Sequence, residues 1–286
     1  MVSVSRGVTR VRGLQGWPGN LFSALPDPDD REDIALKMGE QQQPDLVRVW
    51  DHVAETYDAS VVSSASYQAN FNVMHEIMGD PKGRSFCEVG CGSGATSAMF
   101  AQLGARAVLL DISPKSLEFA RNYFAERNLQ ADFHLQNALH MTIPDNSFDV
   151  VWNAGVIEHF QDDGKVMLIR EMWRILAPGG LLLIQLPYAW DIPFRVGKLI
   201  LRCRGTWAYG FEDNLSRRRI AGLARRAGLT DFHSLVFNPV AGWWFLPKGK
   251  WLTERLGLNT LKRHSKKTRM GHNLIFYARK PKGPPS

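Results

Sequence analysis

The chain has 286 residues, of which 44% are hydrophobic and 22% are charged. This composition is typical of a folded protein with one α/β core and additions, or of two small domains, and it excludes a disordered chain. No apolar run approaches the roughly 18–20 residues of a membrane-spanning helix, and no secretory signal is recognisable. The three cysteines, Cys87, Cys91 and Cys203, form neither a disulfide framework nor a metal-binding pattern, so we expect a cytoplasmic protein without a metal site.

Positive charge is concentrated in the C-terminal third of the chain. Residues 1–189 contain 15 Lys/Arg and 23 Asp/Glu, a net charge of −8, whereas residues 190–286 contain 20 and 5, a net charge of +15. The overall charge of +7 therefore hides a local basic region, which is informative about partners because its field is local.

The N-terminal part divides into two segments. Residues 1–40 are predicted to be a flexible or poorly anchored tail, because Gly, Pro, Asp and Arg dominate them, and Met38 is an alternative start of the chain. Residues 41–84 are predicted to form a helical cap. Apolar side chains recur there at helical spacing, first from Asp45 to Tyr57 and then from Tyr67 to Met78.

Residues 85–187 alternate between strand and helix patterns. The predicted strands are Ser85 to Val89, Ala107 to Asp111, Asp132 to Gln136, Phe148 to Asn153 and Gly180 to Leu186, with helices from Ala95 to Leu103, Pro114 to Glu126 and Asp163 to Leu176. This alternation predicts an α/β core with a mostly parallel, doubly wound, Rossmann-like sheet and helices on both faces. In such sheets the ligand lies beyond the carboxyl ends of the strands.

Residues 188–286 are predicted to contribute the last two strands and insertions on the substrate side. An arginine-rich helix from Leu215 to Ala227 precedes the two strands, Thr230 to Asn238 and Asn273 to Arg279, which bring the predicted sheet to seven strands. Residues 189–209 and 239–271 form aromatic, basic insertions.

A glycine-rich turn follows the first strand of the core. Gly90, Gly92 and Gly94 allow positive φ and a close approach of the backbone to a ligand, and the next helix directs its free N–H groups at that ligand. Glu88 lies two residues before the turn, and Asp111 ends the second strand, where nucleotide-binding folds hold a ribose. The turn alone fits a nicotinamide dinucleotide or S-adenosylmethionine.

Three further motifs decide between these cofactors. Asp145-Asn146-Ser147-Phe148-Asp149-Val150-Val151 leads into the fourth strand, Ile175-Leu176-Ala177-Pro178-Gly179-Gly180 leads into the fifth, and Trp50-Asp51-x-x-Ala54-Glu55-x-Tyr57-Asp58 lies in the cap. With the glycine turn, they resemble class I S-adenosylmethionine-dependent methyltransferases, specifically the small-molecule branch that includes ubiquinone/menaquinone C-methyltransferases. The resemblance is strong over residues 50–186 and weak over residues 210–279.

The resemblance implies roles for particular residues. Glu88 and the backbone of Gly90, Cys91, Gly92 and Gly94 would face the methionine half of the cofactor, and Asp111 would bind both ribose hydroxyls. The remaining implied contacts are Ile112, Asn137 and Ala138 around the adenine, backbone oxygens of Asn153 and Ala154 at the methionine amino group, and Tyr57 closing the site. Asn137 departs from the family, which usually has Asp there, but an Asn carbonyl still accepts a hydrogen bond. Asp111 as a helix cap, Asn137 as a turn residue and Tyr57 as core filler are the structural alternatives.

Glu158 and His159, just past the fourth strand, are the candidate catalytic pair. A histidine near its usual pKa could take a proton from an acceptor. The pair is also common in the resembling family whatever the substrate, so a purely structural role is the alternative. Methyl transfer from a sulfonium is an in-line displacement in which positioning does much of the work, and a base is needed only if the nucleophile must lose a proton.

The basic C-terminal region leaves three interpretations of the substrate side open. Residues 245–286 contain eleven Lys/Arg and one acid, Glu254. They form a solvated surface without a role, they attract an acidic substrate, or they contact an anionic membrane surface, which the combination of Trp and Lys favours.

We therefore expect a methyltransferase that acts on a small molecule of hydrophobic or acidic character. A nucleic-acid partner is not favoured, because Asn153-Ala154-Gly155-Val156 lacks the Asn/Asp-Pro-Pro-aromatic motif of enzymes that methylate base amines. An RNA or protein methyltransferase, and a cofactor-binding protein without catalysis, are the alternative functions.

Overall fold

The computed structural model describes residues 46–57 and 65–282. The predicted tail at residues 1–40, with Met38, lies outside the described residues. So do residues 41–45 and 58–64 of the predicted cap and the last four residues of the chain.

Eight strands form one sheet in the order β3-β2-β1-β4-β5-β8-β6-β7. They are β1 (Ser85–Val89), β2 (Arg106–Asp111), β3 (Ala131–Leu135), β4 (Phe148–Ala154), β5 (Leu176–Pro187), β6 (His233–Phe237), β7 (Lys267–Thr268) and β8 (Asn273–Arg279). The first five strands pair in parallel. β8 runs antiparallel between β5 and β6, and β7 pairs antiparallel with β6 at the edge.

The predicted mostly parallel, doubly wound sheet is confirmed, but the predicted count of seven strands was wrong. The additional strand, β7, has only two residues and lies inside the segment predicted as an insertion. Two residues are too short to show the alternating pattern from which strands are predicted.

Helices cover both faces of the sheet. They are α1 (residues 46–54), α2 (Ala65–Met78), α3 (Ala95–Gln102), α4 (Pro114–Ala125), α5 (Asp162–Ile175), α6 (Ile192–Cys203), α7 (Arg217–Arg226), α8 (Gly249–Arg255) and α9 (Leu261–His264). The helices within the core lie within a residue of their predicted bounds, whereas α6, α8 and α9 lie in the predicted insertions. No helix among the described residues is long and apolar enough to cross a membrane.

The central strands β1, β4 and β5 bury both faces, as expected for a parallel sheet between two helical layers. On one face, Cys87 and Val89 of β1 pack in a cluster with residues of α5 and α7. On the other face, Phe86 of β1 and Trp152 of β4 pack with residues of α2 and α3. Because side chains alternate along a strand, Glu88 points to the same face as Phe86. Glu88 and Trp152 are also register partners on β1 and β4, so their side chains lie side by side beneath α2.

Candidate active site

A cavity of about 400 Å³ opens at the carboxyl ends of β1 to β4. Backbone and side chains that follow each of these strands form its walls. These wall residues are Gly90, Cys91, Gly92 and Ser93 after β1, Asp111 and Ile112 from the end of β2, Gln136, Asn137 and Ala138 after β3, and Ala154, Gly155 and Val156 from the end of β4. The sheet therefore brings segments that are distant in sequence around one space, where a parallel α/β fold binds ligands.

The turn between β1 and α3 has no room for a side chain at its three glycines. Gly90, Gly92 and Gly94 have φ values of 71°, 49° and 65°. A Cβ on Gly90 would lie 2.5 Å from Val156 Cγ2, one on Gly92 would lie 2.8 Å from Tyr57 Oη, and one on Gly94 would lie 2.6 Å from a methyl of Leu109. Gly90 and Gly92 line the cavity, whereas Gly94 packs against the core and is not among the lining residues.

Asp111 fixes this turn to the end of β2. Its Oδ2 accepts a hydrogen bond of 2.8 Å from the Gly92 N–H, and its Oδ1 accepts one of 2.9 Å from the Ser113 N–H. Burial raises the pKa of Asp111, and the donors at Ser113 and Gly92 oppose that rise. Each carboxylate oxygen keeps a lone pair, so Asp111 can accept further hydrogen bonds from a ligand in the cavity.

Glu88 and Trp152 present polar atoms without partners beside each other. Both residues line the cavity, and Glu88 Oε2 and Trp152 Nε1 are buried without a hydrogen-bond partner among the described residues. Burial, reinforced by the charge of Asp111, raises the pKa of Glu88 well above its usual value. A native protein seldom leaves such groups unsatisfied, so this pair indicates a ligand that offers one donor and one acceptor.

Helical residues from the N-terminal part cover the cavity. Tyr57 packs edge-on against Phe119 with ring centroids 5.3 Å apart, and burial raises its pKa. Trp50 of α1 and Tyr67 of α2 also line the cavity. The predicted closing position of Tyr57 is therefore shared by two further aromatic residues.

Asn137 holds a turn at the end of β3. Its Oδ1 accepts a hydrogen bond of 2.9 Å from the Leu139 N–H, which is the turn geometry typical of Asn. Asn137 and its neighbour Ala138 line the cavity, as does Ala154, whereas Asn153 does not. The Asn153 side chain is fully buried, and its Nδ2 lies 3.2 Å from the sulfur of Met172.

His159 lines the cavity as a neutral imidazole. Its Nδ1 lies 2.7 Å from the carbonyl oxygen of Phe211, so in the neutral ring Nδ1 carries the proton and Nε2 is the unprotonated nitrogen. Burial lowers the pKa of His159 to about 4 despite that hydrogen bond. Trp50 packs edge-on against the ring at 4.9 Å.

Glu158 is separated from the cavity that His159 lines. The short 3-10 turn Ile157–His159 places the two side chains in different environments, and Glu158 is not among the lining residues. Burial and the nearby charge of Glu212 raise the pKa of Glu158 to about 8. The two neighbours in sequence are therefore not a pair at this site.

Comparisons with known proteins identify the core. Residues 87–184 match a family model described as a methyltransferase domain. A ubiquinone biosynthesis O-methyltransferase of Xanthomonas axonopodis pv. citri is 28% identical over 167 residues, which cover 56% of this chain and 69% of that protein. Residues 87–184 are therefore similar to a methyltransferase domain.

Solved structures show the same fold. A methyltransferase of Thermotoga maritima superposes with a TM-score of 0.60 and 17% identity, covering 82% of this chain and 99% of that chain. The [4+2]-cyclase SpnF superposes with a TM-score of 0.53 and 20% identity, covering 75% of this chain and 80% of that chain. Since one neighbour is named a cyclase, the fold alone does not determine the reaction.

The cavity is also lined by residues that sequence reasoning missed. Trp152 lies inside an apolar strand, where its pattern indicates only core packing, and Tyr67 begins a helix whose apolar spacing is equally unspecific. Trp50 belongs to the cap motif, which was the one signal that could have included it.

The environment of His159 predicts a loss of stability on acidification. An unfolded chain binds a proton at histidine near pH 6.5, whereas the folded protein binds it only near a pKa of about 4. Protonation of His159 therefore does not reduce the free energy of unfolding above pH 6.5. As the pH falls toward 4, it lowers the free energy of unfolding by up to about 3 kcal/mol. Urea unfolding at a series of pH values should show this decline in the wild type and a shallower one in His159→Asn, which keeps a donor for Phe211. Identical slopes in the two proteins would contradict a neutral, buried imidazole.

Proposed function

We propose that the protein binds S-adenosylmethionine in this cavity and catalyses methyl transfer to a small molecule of hydrophobic or acidic character. The observation that carries the proposal is the convergence of the glycine turn, Glu88 and Asp111 on one cavity. When bound, the cofactor supplies an electrophilic methyl group that a nucleophile displaces in line. The protein's contribution is to bind, orient and desolvate the reactants.

The methionine half of the cofactor fits the end of β1. Glu88 Oε2 offers an acceptor and Trp152 Nε1 offers a donor, and both are buried without partners among the described residues. A zwitterionic amino-acid moiety carries an ammonium donor and a carboxylate acceptor, which is the complementary set. The same wall of the cavity is formed by Gly90, Cys91 and Gly92. Because the two glycines have no Cβ atom, the ligand can approach the backbone closely there. Gly94 supports the turn from below.

The nucleoside half fits the ends of β2 and β3. Asp111 would accept hydrogen bonds from the ribose hydroxyls through its free lone pairs. Ile112, Asn137 and Ala138 line the adjoining wall and would surround the adenine. Asn137 Oδ1 accepts from the Leu139 N–H and keeps a second lone pair, so both Asn137 Oδ1 and the backbone of Ala138 are candidates to read the base edge. Ala154 would offer its backbone oxygen toward the amino group, and Asn153 would support that strand end from the core.

We assign His159 to binding the methyl acceptor, the small molecule that receives the methyl group. In its neutral ring, Nε2 can accept a hydrogen bond. It would therefore bind and orient a hydroxyl group of the methyl acceptor. With a pKa of about 4, His159 is a weak base. We therefore propose that it orients the methyl acceptor and does not mainly remove its proton. Matched relatives named O-methyltransferases support oxygen as the accepting atom. Trp50 and Phe160, which also line the cavity, favour an acceptor with an apolar ring.

Cofactor binding is tested by calorimetric titration. Asp111→Asn should weaken S-adenosylmethionine binding roughly tenfold to a hundredfold, because it replaces a charged acceptor of the ribose by a neutral one. Asp132→Asn, at an exposed position on neighbouring β3, removes the same charge and should leave the affinity unchanged. NADH should not bind. Equal losses in the two variants, or preference for NADH, would overturn the assignment of the cavity.

The raised pKa of Glu88 predicts that cofactor binding releases a proton. Burial raises the pKa of Glu88 in the free protein, and an ammonium group beside the carboxyl would lower it again. Titrations near neutral pH in buffers with different ionisation enthalpies should therefore show release of up to about one proton. Glu88→Gln should bind without proton release, which identifies the source. Heats independent of the buffer in the wild type would contradict this role of Glu88.

Catalysis and substrate class are tested with cofactor that carries a labelled methyl group. The label should appear in small hydrophobic phenols or carboxylic acids in the presence of the protein. His159→Asn should lower kcat about tenfold for a hydroxyl acceptor, since the Asn side chain places no acceptor at the position of Nε2. Label in precipitable RNA or protein would support a macromolecular methyltransferase instead. Cofactor binding without turnover on any acceptor class would support a protein that has lost catalysis.

A further inference from the structure

Helix α6 is inverted relative to an ordinary surface helix. Its apolar residues Ile192, Val196 and Leu199 are 45%, 44% and 62% exposed, whereas Lys198 is only 4% exposed. A surface helix normally buries its apolar stripe and exposes its lysines. The exposed apolar residues recur at spacings of four and three, so they form one continuous stripe along the helix.

Buried contacts lock α6 in this orientation. Lys198 Nζ donates to Glu212 Oε1 at 2.9 Å and to Asn214 Oδ1 at 3.1 Å, and it lies 5.4 Å from the ring centroid of Phe194. Rotating the apolar stripe inward would expose Phe194 and break a buried ion pair, which is strongly destabilising. The stripe is therefore a permanent feature of the surface.

The C-terminal insertion packs against the buried face of α6. Gly197 of α6 packs directly on the turn Ala241–Phe245, because a Cβ there would lie 2.5 Å from the Phe245 carbonyl oxygen. Gly249, at the start of α8, packs against the carbonyl of Trp243 in the same turn. Further large apolar side chains are exposed on the turn and α8 and in the residues next to α6 and α8, namely Trp190, Trp243, Trp251, Leu252 and Leu256. We call this area, from α6 through the turn to α8, the α6–α8 surface.

Basic residues accompany the apolar residues of the α6–α8 surface. Arg195, Arg202, Lys248, Lys250 and Arg255 are exposed there. The one exposed acid in these elements is Glu254. Arg255 lies over the ring of Trp251 at 5.5 Å. Tryptophan and basic side chains around an aliphatic stripe are the composition of helices that lie in the interface of a bilayer.

We propose that the α6–α8 surface docks on an anionic lipid membrane. The apolar stripe would enter the boundary between headgroups and acyl chains, and the surrounding Lys and Arg would contact the acidic headgroups. The proposal concerns binding alone and does not depend on methyl transfer.

Charge and shape favour lipid over the other occupants. A second copy of the chain would bring the same basic surface against itself in a two-fold interface, and like charges would oppose the contact. The exposed Trp rings of this surface could stack on the bases of a single-stranded nucleic acid, but such a ligand would leave the aliphatic stripe of Ile192, Val196 and Leu199 without an apolar partner. An anionic bilayer satisfies both the charge and the aliphatic side chains.

Co-sedimentation with vesicles tests the proposal on the full chain. We expect partitioning onto phosphatidylcholine vesicles that contain phosphatidylglycerol to be at least about tenfold stronger than onto phosphatidylcholine alone, and to weaken with salt. The double variant Val196→Gln/Leu199→Gln should lose about tenfold in partitioning. The matched control, Leu103→Gln/Leu135→Gln, changes exposed leucines elsewhere and should bind as the wild type does.

A second pair of variants separates the surface from the overall charge. Lys250→Glu/Arg255→Glu should reduce binding at least about tenfold, whereas Arg217→Glu/Arg218→Glu on α7 makes the same change in net charge and should reduce it far less. Equal losses in both variants, no preference for anionic vesicles, or no binding at all would overturn the proposal. A concentration-dependent dimer that the Val196→Gln/Leu199→Gln variant dissociates, or RNA binding that this variant abolishes, would overturn it in favour of those occupants.

Discussion

The hydrogen bond between Asp111 Oδ2 and the Gly92 N–H is the contact on which the site depends. It joins the turn after β1 to the end of β2, and the second oxygen of the same carboxylate holds the backbone at Ser113. Three glycines with positive φ make the turn tight enough for this contact. With both oxygens fixed by the backbone, the carboxylate cannot change rotamer, so its remaining lone pairs are preorganised for a ligand.

Buried acids near the sheet's carboxyl edge differ in what can satisfy them. Glu88 and Glu158 are both buried, each has an oxygen without a partner among the described residues, and each has a raised pKa because of burial. Glu88 faces the cavity, where a cationic ligand can compensate for its desolvation, whereas Glu158 does not line the cavity. A ligand in the cavity could therefore contact Glu88 directly, whereas Glu158 lies behind the lining residue Gly155. Geometry, and not the pKa alone, makes the distinction.

Local patterns were sufficient to predict the core and insufficient for the additions. β1 and α3 follow from an apolar run and a glycine turn, and the structure places them within a residue of the predicted bounds. α6 was not predicted as a helix, although Ile192, Val196 and Leu199 recur at helical spacing. The pattern could not show that this apolar face is exposed and that Lys198 is buried, because it gives the period and not the face that packs on the core. Glu158 was paired with His159 because the two residues are adjacent in sequence. Adjacency does not show whether two side chains of a 3-10 turn point into the same space. Trp152 could not be recognised, because its significance is an unpaired Nε1 beside Glu88.

The inverted helix and the acceptor side of the cavity are parts of one buried network. Lys198 of α6 donates to both the carboxylate and the backbone carbonyl of Glu212. The preceding residue, Phe211, supplies the carbonyl that fixes the tautomer of His159. A helix that buried its apolar stripe instead of Lys198 would release the segment that orients His159. The exposed stripe is thus a consequence of the same contacts that position the imidazole. Those buried contacts offset the cost of exposing apolar side chains to water.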